Sequence, residues 1–338
     1  MSGAWLYISA FVVAALASAF ATPLVIRLAR HVGMLDVGDD ERRVHQTPTP
    51  RLGGIAVYFG FAFAMFALLG IALSRTNFFH EIEDIHQFFG LLFGSTLILA
   101  VGIWDDVMGM RPRDKFLAQI VVALIAMLYG FVIPDVHVPF TQEFIVFPWY
   151  VAYPVTLLWY VSMMNAINFI DGLDGLLSGV TAISGIFMLS IALLHHQSVV
   201  ALVMAGLAGA VLGFLPFNFN PAKIFLGDGG SLFIGFIFAT VGVMGEGSKK
   251  AVAIGLIVPL MVLALPILDT AVVILRRARS GKRITEADRG HFHHQLIFRY
   301  GLNVRQAVLL IYALCFILGA AAFVLSGGVP HFMKVAGL

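Results

Sequence analysis

Charged residues are scarce in this chain of 338 residues: they make up 12% of it, whereas hydrophobic residues make up 60%. Soluble globular proteins carry about 25% charged residues, so the composition excludes that class. Cysteine is almost absent, because Cys315 is the only one and lies within an apolar run. A disulfide framework and a cysteine-based metal site are therefore excluded. No repeat, low-complexity tract or linker divides the sequence, which predicts one integral membrane domain over residues 1–338.

Long apolar runs take the place of the missing charge. A membrane helix needs roughly 20 such residues, and the hydrophobicity is continuous rather than alternating, which favours helices over a barrel. We therefore predict an all-α polytopic bundle of about ten transmembrane helices, whose ends are placed to within about four residues. The first run is longer than a signal-peptide core and has no basic start, so we expect it to be retained. The predicted spans are 5–28, 54–73, 88–104, 116–133, 149–164, 176–194, 199–217, 231–245, 251–275 and 306–326.

Basic residues fall mainly on one side of this predicted topology. Of the 21 Lys and Arg, 17 lie in the loops on the side reached after the first span. The positive-inside rule makes that side cytoplasmic and places both termini on the outer face. The net charge of +2 hides this asymmetry.

Four polar segments interrupt the apolar chain, and each lies at the cytoplasmic end of a predicted span. Burying an acid near lipid costs roughly 2.5–3.5 kcal/mol on insertion scales, so such groups persist mainly where they are paired, bound to metal or used in chemistry. Ten independently placed spans could have separated the four segments, so their gathering on one side is the functional signal. They are WDDVMGMRPRDK (104–115), NAINFIDGLDG (165–175), NFNPAKIFLGDGGS (218–231) and EADRGHFHH (286–294).

The first segment pairs acids with cations. Asp105 and Asp106 are adjacent, and Arg111, Arg113 and Lys115 follow within ten residues. Mg²⁺ is commonly held by one or two carboxylates together with substrate oxygens, so this pattern suits a metal and a phosphate. A solvated helix cap with its counter-ions is the simpler alternative.

In the second segment, Asn165, Asn168, Asp171 and Asp174 repeat every three residues, which puts them near one helical face. Helix capping would explain one or two of these polar groups but not four in phase. We therefore interpret this segment as functional.

The third segment places Asp228 among glycines ahead of a span, where a helix N-terminus favours anions. A glycine-rich turn with an Asp cap is the alternative. The GxxxxGK[ST] pattern is missing from the sequence, so no Walker A loop is predicted.

The fourth segment contains a histidine cluster. His291, His293 and His294 follow Asp288 and Arg289 in a strongly basic loop. Zinc usually recruits cysteine or several acids, whereas partly charged imidazoles can bind phosphate. Both interpretations stay open on this pattern, although the lack of thiolates favours phosphate. Together the four segments predict a magnesium-dependent phosphate site at the cytoplasmic edge of the membrane.

Five motifs resemble the polyprenyl-phosphate N-acetylhexosamine-1-phosphate transferase family, glycosyltransferase family 4. In chain order they are HQTPTPRLGG, GIWDD, NAINFIDGLDGL, FNFNPAKIFLGDGGSLFIG and DRGHFHHQL, and the resemblance covers about residues 30 to 315. It implies an enzyme of the bacterial inner membrane that transfers N-acetylglucosamine-1-phosphate from UDP-N-acetylglucosamine to undecaprenyl phosphate and releases UMP. This reaction would begin a cell-envelope polysaccharide such as lipopolysaccharide O-antigen, enterobacterial common antigen or teichoic acid.

The resemblance also implies roles for individual residues. Asp228 and Asn168 are expected to bind Mg²⁺, for which Mn²⁺ can substitute. Lys115 is expected to hold the lipid phosphate, and Phe225 to stack on uracil. The residues expected to be catalytic are Asp105, Asp106, Asp228, His291, His293 and His294. The residues expected to bind substrate are His45, Arg51, Lys115, Asn165, Asp171, Asp174, Asn218, Phe225 and Arg289.

Several alternatives stay open at this point. The acceptor phosphate is mostly ionised at pH 7, so we favour direct attack over a covalent phospho-enzyme. The sugar could be another N-acetylhexosamine, such as an epimer or a bacillosamine-type sugar. UDP-N-acetylmuramoyl-pentapeptide is disfavoured, because the chain has neither the HHHFE loop nor the TPTMGG segment of that branch.

A secondary transporter is the alternative from a different class, since broken helices with acids also occur in transporters. Pro259, Pro266 and Asp269 in the ninth predicted span are the features that favour it. A non-catalytic scaffold would have no reason to gather acids and imidazoles. The partners expected are the UDP-sugar, the lipid acceptor and the membrane. No nucleic acid is expected, and a homodimer is compatible with the sequence.

Overall fold

The computed structural model describes residues 4–36, 48–73, 82–137, 144–244 and 292–328, and it confirms the all-α prediction. Two short antiparallel hairpins accompany the helices, β1 (Leu35–Asp36) with β2 (Thr49–Pro50) and β3 (Asp135–His137) with β4 (Phe144–Val146). The helices within these ranges are α1 (Ala4–Val32), α2 (Gly53–Leu73), α3 (Ile82–Met108), α4 (Pro112–Leu128), α5 (Trp149–Ile170), α6 (Leu176–Leu194), α7 (Ser198–Asn218), α8 (Gly227–Val243), α9 (Phe292–Phe298) and α10 (Val304–Leu325).

Six of these helices are long and apolar enough to cross a membrane. They are α1, α2, α3, α6, α7 and α10, and α8 is a shorter apolar helix of 17 residues. Each predicted span within the described ranges corresponds to one helix, and the ninth predicted span, 251–275, lies outside them. The protein is therefore a polytopic helical membrane protein.

Helix ends differ from the predicted spans where polar or turn residues intervene. α3 continues through Asp105 and Asp106 to Met108, and α5 continues to Ile170, because the polar residues in their last turns have partners in the folded protein. α4 ends at Leu128, five residues before the predicted end. Gly130, with φ +89°, takes the chain out of the helix.

The core is arranged around two helices. α7 packs against α1, α2 and α6, whereas α8 packs against α2, α3 and α5. Glycine permits the closest of these contacts, because a Cβ at Gly209 or Gly213 of α7 would collide with the backbone of α1 at Phe11 and Ala15. The N-terminus of α8 is thereby placed among the ends of α3 and α5 and the beginning of α4.

Candidate active site

Three helices converge on Asp228, which lies in the first turn of α8. Its Oδ1 accepts a hydrogen bond of 2.6 Å from Asn168 Nδ2 of α5, and its Oδ2 accepts one of 2.7 Å from Lys115 Nζ of α4. The same ammonium lies 2.8 Å from Asp105 Oδ2 of α3. These residues come from three of the four polar segments and are up to 123 positions apart, so the structure brings those three segments together at one point.

Asp106 holds the beginning of α8. Its Oδ1 accepts from the backbone N–H of Asp228 and its Oδ2 from that of Gly229, each at 3.0 Å. Gly227 is needed here, because its φ is +76° and an added Cβ would lie 2.6 Å from Asp106 Oδ2. The anion-binding N–H groups expected at this helix end are thus used by a carboxylate of the protein itself.

Asp171 follows the last residue of α5 and is half-buried. Burial, followed by the negative charges of Asp228 and Asp106, raises the pKa of its carboxyl to about 8, while Arg51 acts in the opposite direction. Arg51 is itself 44% exposed, and its Nε lies 3.9 Å from Asp36 Oδ2. An additional cation would therefore relieve this acidic site.

The residues present fit a magnesium ion bound together with substrate. Asp228 supplies hard carboxylate oxygens, and Asn168, whose Nδ2 donates to Asp228 Oδ1 here, would turn its amide oxygen toward a bound ion, while Asp171 lies beside them with its pKa raised to about 8. Within the described ranges, no three His, Cys, Asp or Glu side chains form a metal site by themselves. This composition agrees with the usual behaviour of Mg²⁺, which takes one or two carboxylates and completes its shell with water and phosphate oxygens.

A second polar cluster organises the loop between α7 and α8. Asn218 donates to the carbonyl of Ile224 at 3.0 Å and accepts from Ser178 Oγ at 2.7 Å. Asp174 Oδ2 accepts from Asn220 Nδ2 and from the backbone N–H of Ala222, both at 3.0 Å. The two side chains therefore fix the conformation of the loop that leads to Asp228.

The same loop is also held from two other sides. The backbone of Phe225 accepts from Gly53 N at 2.9 Å and donates to Pro50 O at 2.8 Å. From α10, Arg305 Nε donates to Asn220 O at 2.9 Å, and the Tyr312 hydroxyl donates to Gly175 O. The Phe225 side chain stays partly exposed at the edge of the site.

The structure groups the predicted site residues as follows. The group in direct contact consists of Asp105, Asp106, Lys115, Asn168 and Asp228. Beside this group lie Arg51 and Asp171. The loop cluster contains Asp174 and Asn218, and Phe225 adjoins it. Asn165 bonds to Gln119 one turn below Asn168.

Five predicted site residues fall wholly or partly outside the described part of the chain. His45, Arg289 and His291 lie outside the described residues, and His293 and His294 fall in α9, where their side chains are likewise outside them. Their roles stay predictions. The sequence reasoning missed Gln119, Ser231, Arg305 and Tyr312. Gln119 could have been found as an amide four residues after Lys115 in an otherwise apolar helix.

Comparison with known proteins identifies the family of this chain. A family model described as Glycosyl transferase family 4 matches residues 88–246. The chain is 35% identical to a probable undecaprenyl-phosphate N-acetylglucosaminyl 1-phosphate transferase of Bacillus subtilis over 317 residues, which are 94% of this chain and 84% of the relative.

Two further relatives cover most of the chain. A decaprenyl-phosphate N-acetylglucosaminephosphotransferase of Mycobacterium tuberculosis is 35% identical over 88% of this chain and 77% of its own length. A phospho-N-acetylmuramoyl-pentapeptide-transferase of Staphylococcus aureus is 30% identical over 76% of this chain and 79% of its own length. The chain therefore belongs to glycosyl transferase family 4 and is a multi-pass membrane transferase.

Proposed function

We propose that the protein transfers N-acetylglucosamine-1-phosphate from UDP-N-acetylglucosamine to undecaprenyl phosphate, giving a lipid diphosphate sugar and UMP, with Mg²⁺ as cofactor. The observation that carries the proposal is the convergence of α3, α4, α5 and α8 on the Asp228 carboxylate. The names of the Bacillus and Mycobacterium relatives support transfer of N-acetylglucosamine phosphate to a polyprenyl phosphate.

In this proposal Asp228 and Asn168 would hold the metal. A bound Mg²⁺ would supply positive charge that offsets the charge developing on the transferred phosphoryl group and on the leaving group. Lys115 exchanges a carboxylate contact for the acceptor phosphate, which it orients in line with the donor. An acceptor phosphate oxygen then bonds to the sugar-bearing phosphorus. The P–O bond to UMP breaks, and UMP keeps that electron pair.

Direct attack is favoured over a covalent intermediate on Asp106. Both Asp106 oxygens accept hydrogen bonds from backbone N–H groups of α8, so forming an acyl phosphate there would break the contacts that position Asp228. Asp105 is engaged similarly, with Met110 N donating to Oδ1 at 2.7 Å and Lys115 contacting Oδ2. The acceptor phosphate is mostly ionised at pH 7 and needs no strong base.

The sugar is assigned from the relatives rather than from a contact. Two relatives named for N-acetylglucosamine match more of the chain, at higher identity, than the one named for a muramoyl-pentapeptide. The test uses purified protein, Mg²⁺, undecaprenyl phosphate and a panel of labelled UDP-sugars, with lipid product and UMP both counted. Equal release of UMP and lipid product from UDP-N-acetylglucosamine is expected. Absence of product from every UDP-sugar would reject the proposal.

The cytoplasmic orientation is also a proposal, and it rests on the distribution of 17 of the 21 basic residues. In intact cells, a cysteine replacing Ser280 should be protected from an impermeant thiol reagent, and one replacing Ser248 should be labelled. Reversed labelling would place the site on the wrong side for a cytoplasmic UDP-sugar. Buried Cys315 serves as the background control.

A further inference from the structure

A pair of amide side chains, of which Gln119 is buried and Asn165 half-buried, lies directly beneath the contacts to Asp228. Asn165 Nδ2 of α5 donates to Gln119 Oε1 of α4 at 2.6 Å and to the carbonyl of Val161 at 2.8 Å. Gln119 is only 1% exposed. Its Nε2 has no hydrogen-bond partner among the described residues.

The pair continues a pattern that the two helices share. Gln119 follows Lys115 by four residues, and Asn165 precedes Asn168 by three, so each partner lies one turn deeper, at about 6 Å and about 4.5 Å along its helix. Lys115 and Asn168 meet on one carboxylate of α8, and Gln119 and Asn165 meet each other one turn below. α4 and α5 are therefore joined at two successive levels.

The free energy of folding does not explain why two amide side chains meet between α4 and α5. A typical buried hydrogen bond contributes about 1 kcal/mol, whereas leaving a buried donor unsatisfied costs about 1–3 kcal/mol. Apolar side chains of the same shape would serve the packing of α4 on α5 at least as well. The reason for an amide rather than an apolar side chain at position 119 is therefore the placement of the neighbouring helices, not the stability of the fold.

We propose that Gln119 is a positioning residue for the transferase site: through Asn165 it fixes α4 against α5 in the register that lets Lys115 and Asn168 reach the same Asp228 carboxylate. The inference rests on the proposed function for its kinetic consequence. The geometric part of the inference is independent of the proposed function, since the contact between α4 and α5 exists without substrate.

The first variant is Gln119→Met, which keeps the length of the side chain and removes the amide. We expect thermal stability in detergent equal to or above that of the wild type. Turnover should fall roughly tenfold to a hundredfold, because a misplacement of about 1 Å can cost on the order of a hundredfold in rate. The loss should appear in kcat more than in the KM of the UDP-sugar.

A second, exchange variant keeps the test valid if Gln119→Met folds poorly. Gln119→Asn and Asn165→Gln should each lose activity, because the pair becomes too short or too long. Gln119→Asn combined with Asn165→Gln restores the summed length and should recover most of the turnover. If the turnover of the double variant is as low as the two single losses multiplied together, the two side chains do not act as a pair and the proposal is overturned.

Tyr160→Phe is the matched control on α5, the helix that carries Asn165. It removes a buried contact between helices, Tyr160 Oη to Thr240 Oγ1 at 3.0 Å, away from Lys115 and Asn168. Its turnover should stay near that of the wild type. If Tyr160→Phe loses as much turnover as Gln119→Met, position 119 has no special role and the proposal fails.

Direct Mn²⁺ binding, followed by electron paramagnetic resonance without substrates, separates this inference from the proposed function. Gln119→Met should bind Mn²⁺ several-fold more weakly than the wild type, and the exchange variant should bind it nearly as well. Unchanged Mn²⁺ affinity and unchanged turnover in Gln119→Met would overturn the positioning role. A wild type that binds Mn²⁺ with this pattern but transfers no sugar phosphate would reject the function alone.

Discussion

The two polar clusters beside α8 are built from the same residue types but differ in charge and exposure. Around Asp228, several carboxylates share Lys115 and Arg51, and the Asp228 side chain is 32% exposed. In the loop cluster, Asp174 and Asn218 are 5% and 3% exposed and bond to backbone and amide groups. The first cluster is short of positive charge and open to ligands, whereas the second holds a loop in place. Carboxylates in one membrane protein can thus serve chemistry or architecture.

The largest effect that would sharpen this contrast is expected from Asp228→Asn. The change removes a negative charge at constant volume. Metal affinity should therefore be lost and the rate of transfer should fall by at least about a thousandfold, while the protein stays folded. Activity is measured with and without added Mg²⁺, and Mn²⁺ binding by electron paramagnetic resonance. Asp114→Asn, an exposed acid in the first turn of α4, is the matched control and should be nearly silent. Wild-type turnover in Asp228→Asn would end the metal assignment.

The next largest effect is expected from Lys115→Met. It deletes the cation that contacts Asp105 and Asp228, so turnover should fall by about two orders of magnitude and the KM of undecaprenyl phosphate should rise. Lys115→Arg keeps the charge and should retain more of the activity. Steady-state kinetics with varied lipid acceptor distinguish the two. An unchanged KM for the acceptor would remove Lys115 from the acceptor site.

A smaller effect on chemistry, and a larger one on stability, is expected from Asp174→Ala. The Asn220 amide and the Ala222 N–H lose their acceptor, which typically costs about 1–3 kcal/mol. Thermal denaturation should reveal this loss, and the KM of the UDP-sugar should rise as the loop loosens. If kcat collapsed at unchanged stability, Asp174 would belong with the catalytic cluster and the contrast would be broken.

The smallest effect is the pH dependence of stability due to Asp171. Its pKa is about 8 in the folded protein, compared with about 3.9 in an unfolded chain. Ionisation therefore favours unfolding, so this residue makes stability fall as pH rises from about 4 to 8, with no further change above that range. The Tm of Asp171→Asn minus that of the wild type should grow by a few degrees from pH 5 to pH 8 in EDTA. Mg²⁺ should reduce this difference, and a flat difference would contradict the raised pKa.

The polar segments of the site could be predicted from the ends of the apolar runs, because burying an acid near lipid costs free energy unless the acid is paired, bound to metal or used in chemistry. The three-residue spacing correctly placed Asn165 and Asn168 on one face of α5, but the prediction of a helical face was wrong for Asp171 and Asp174, because the helix ends at Ile170 and the glycines that follow take the chain into a turn. It did not show that Asn165 and Asp174 would bond to Gln119 and to the loop, because spacing gives a side chain's direction and not its partner. The attachment of Asp106 to α8 was hidden for the same reason, since it joins residues more than 120 positions apart.

The contact between Asp106 and the start of α8 has a consequence for inhibitors. A helix N-terminus usually attracts phosphate groups, but here its N–H groups at Asp228 and Gly229 already bind a carboxylate. A nucleoside analogue that carries an anionic replacement for the diphosphate would meet repulsion unless it brought Mg²⁺ with it. One that carries a basic amine at that place would pair with the acids directly. Such compounds should bind without metal and lose affinity as Mg²⁺ is added.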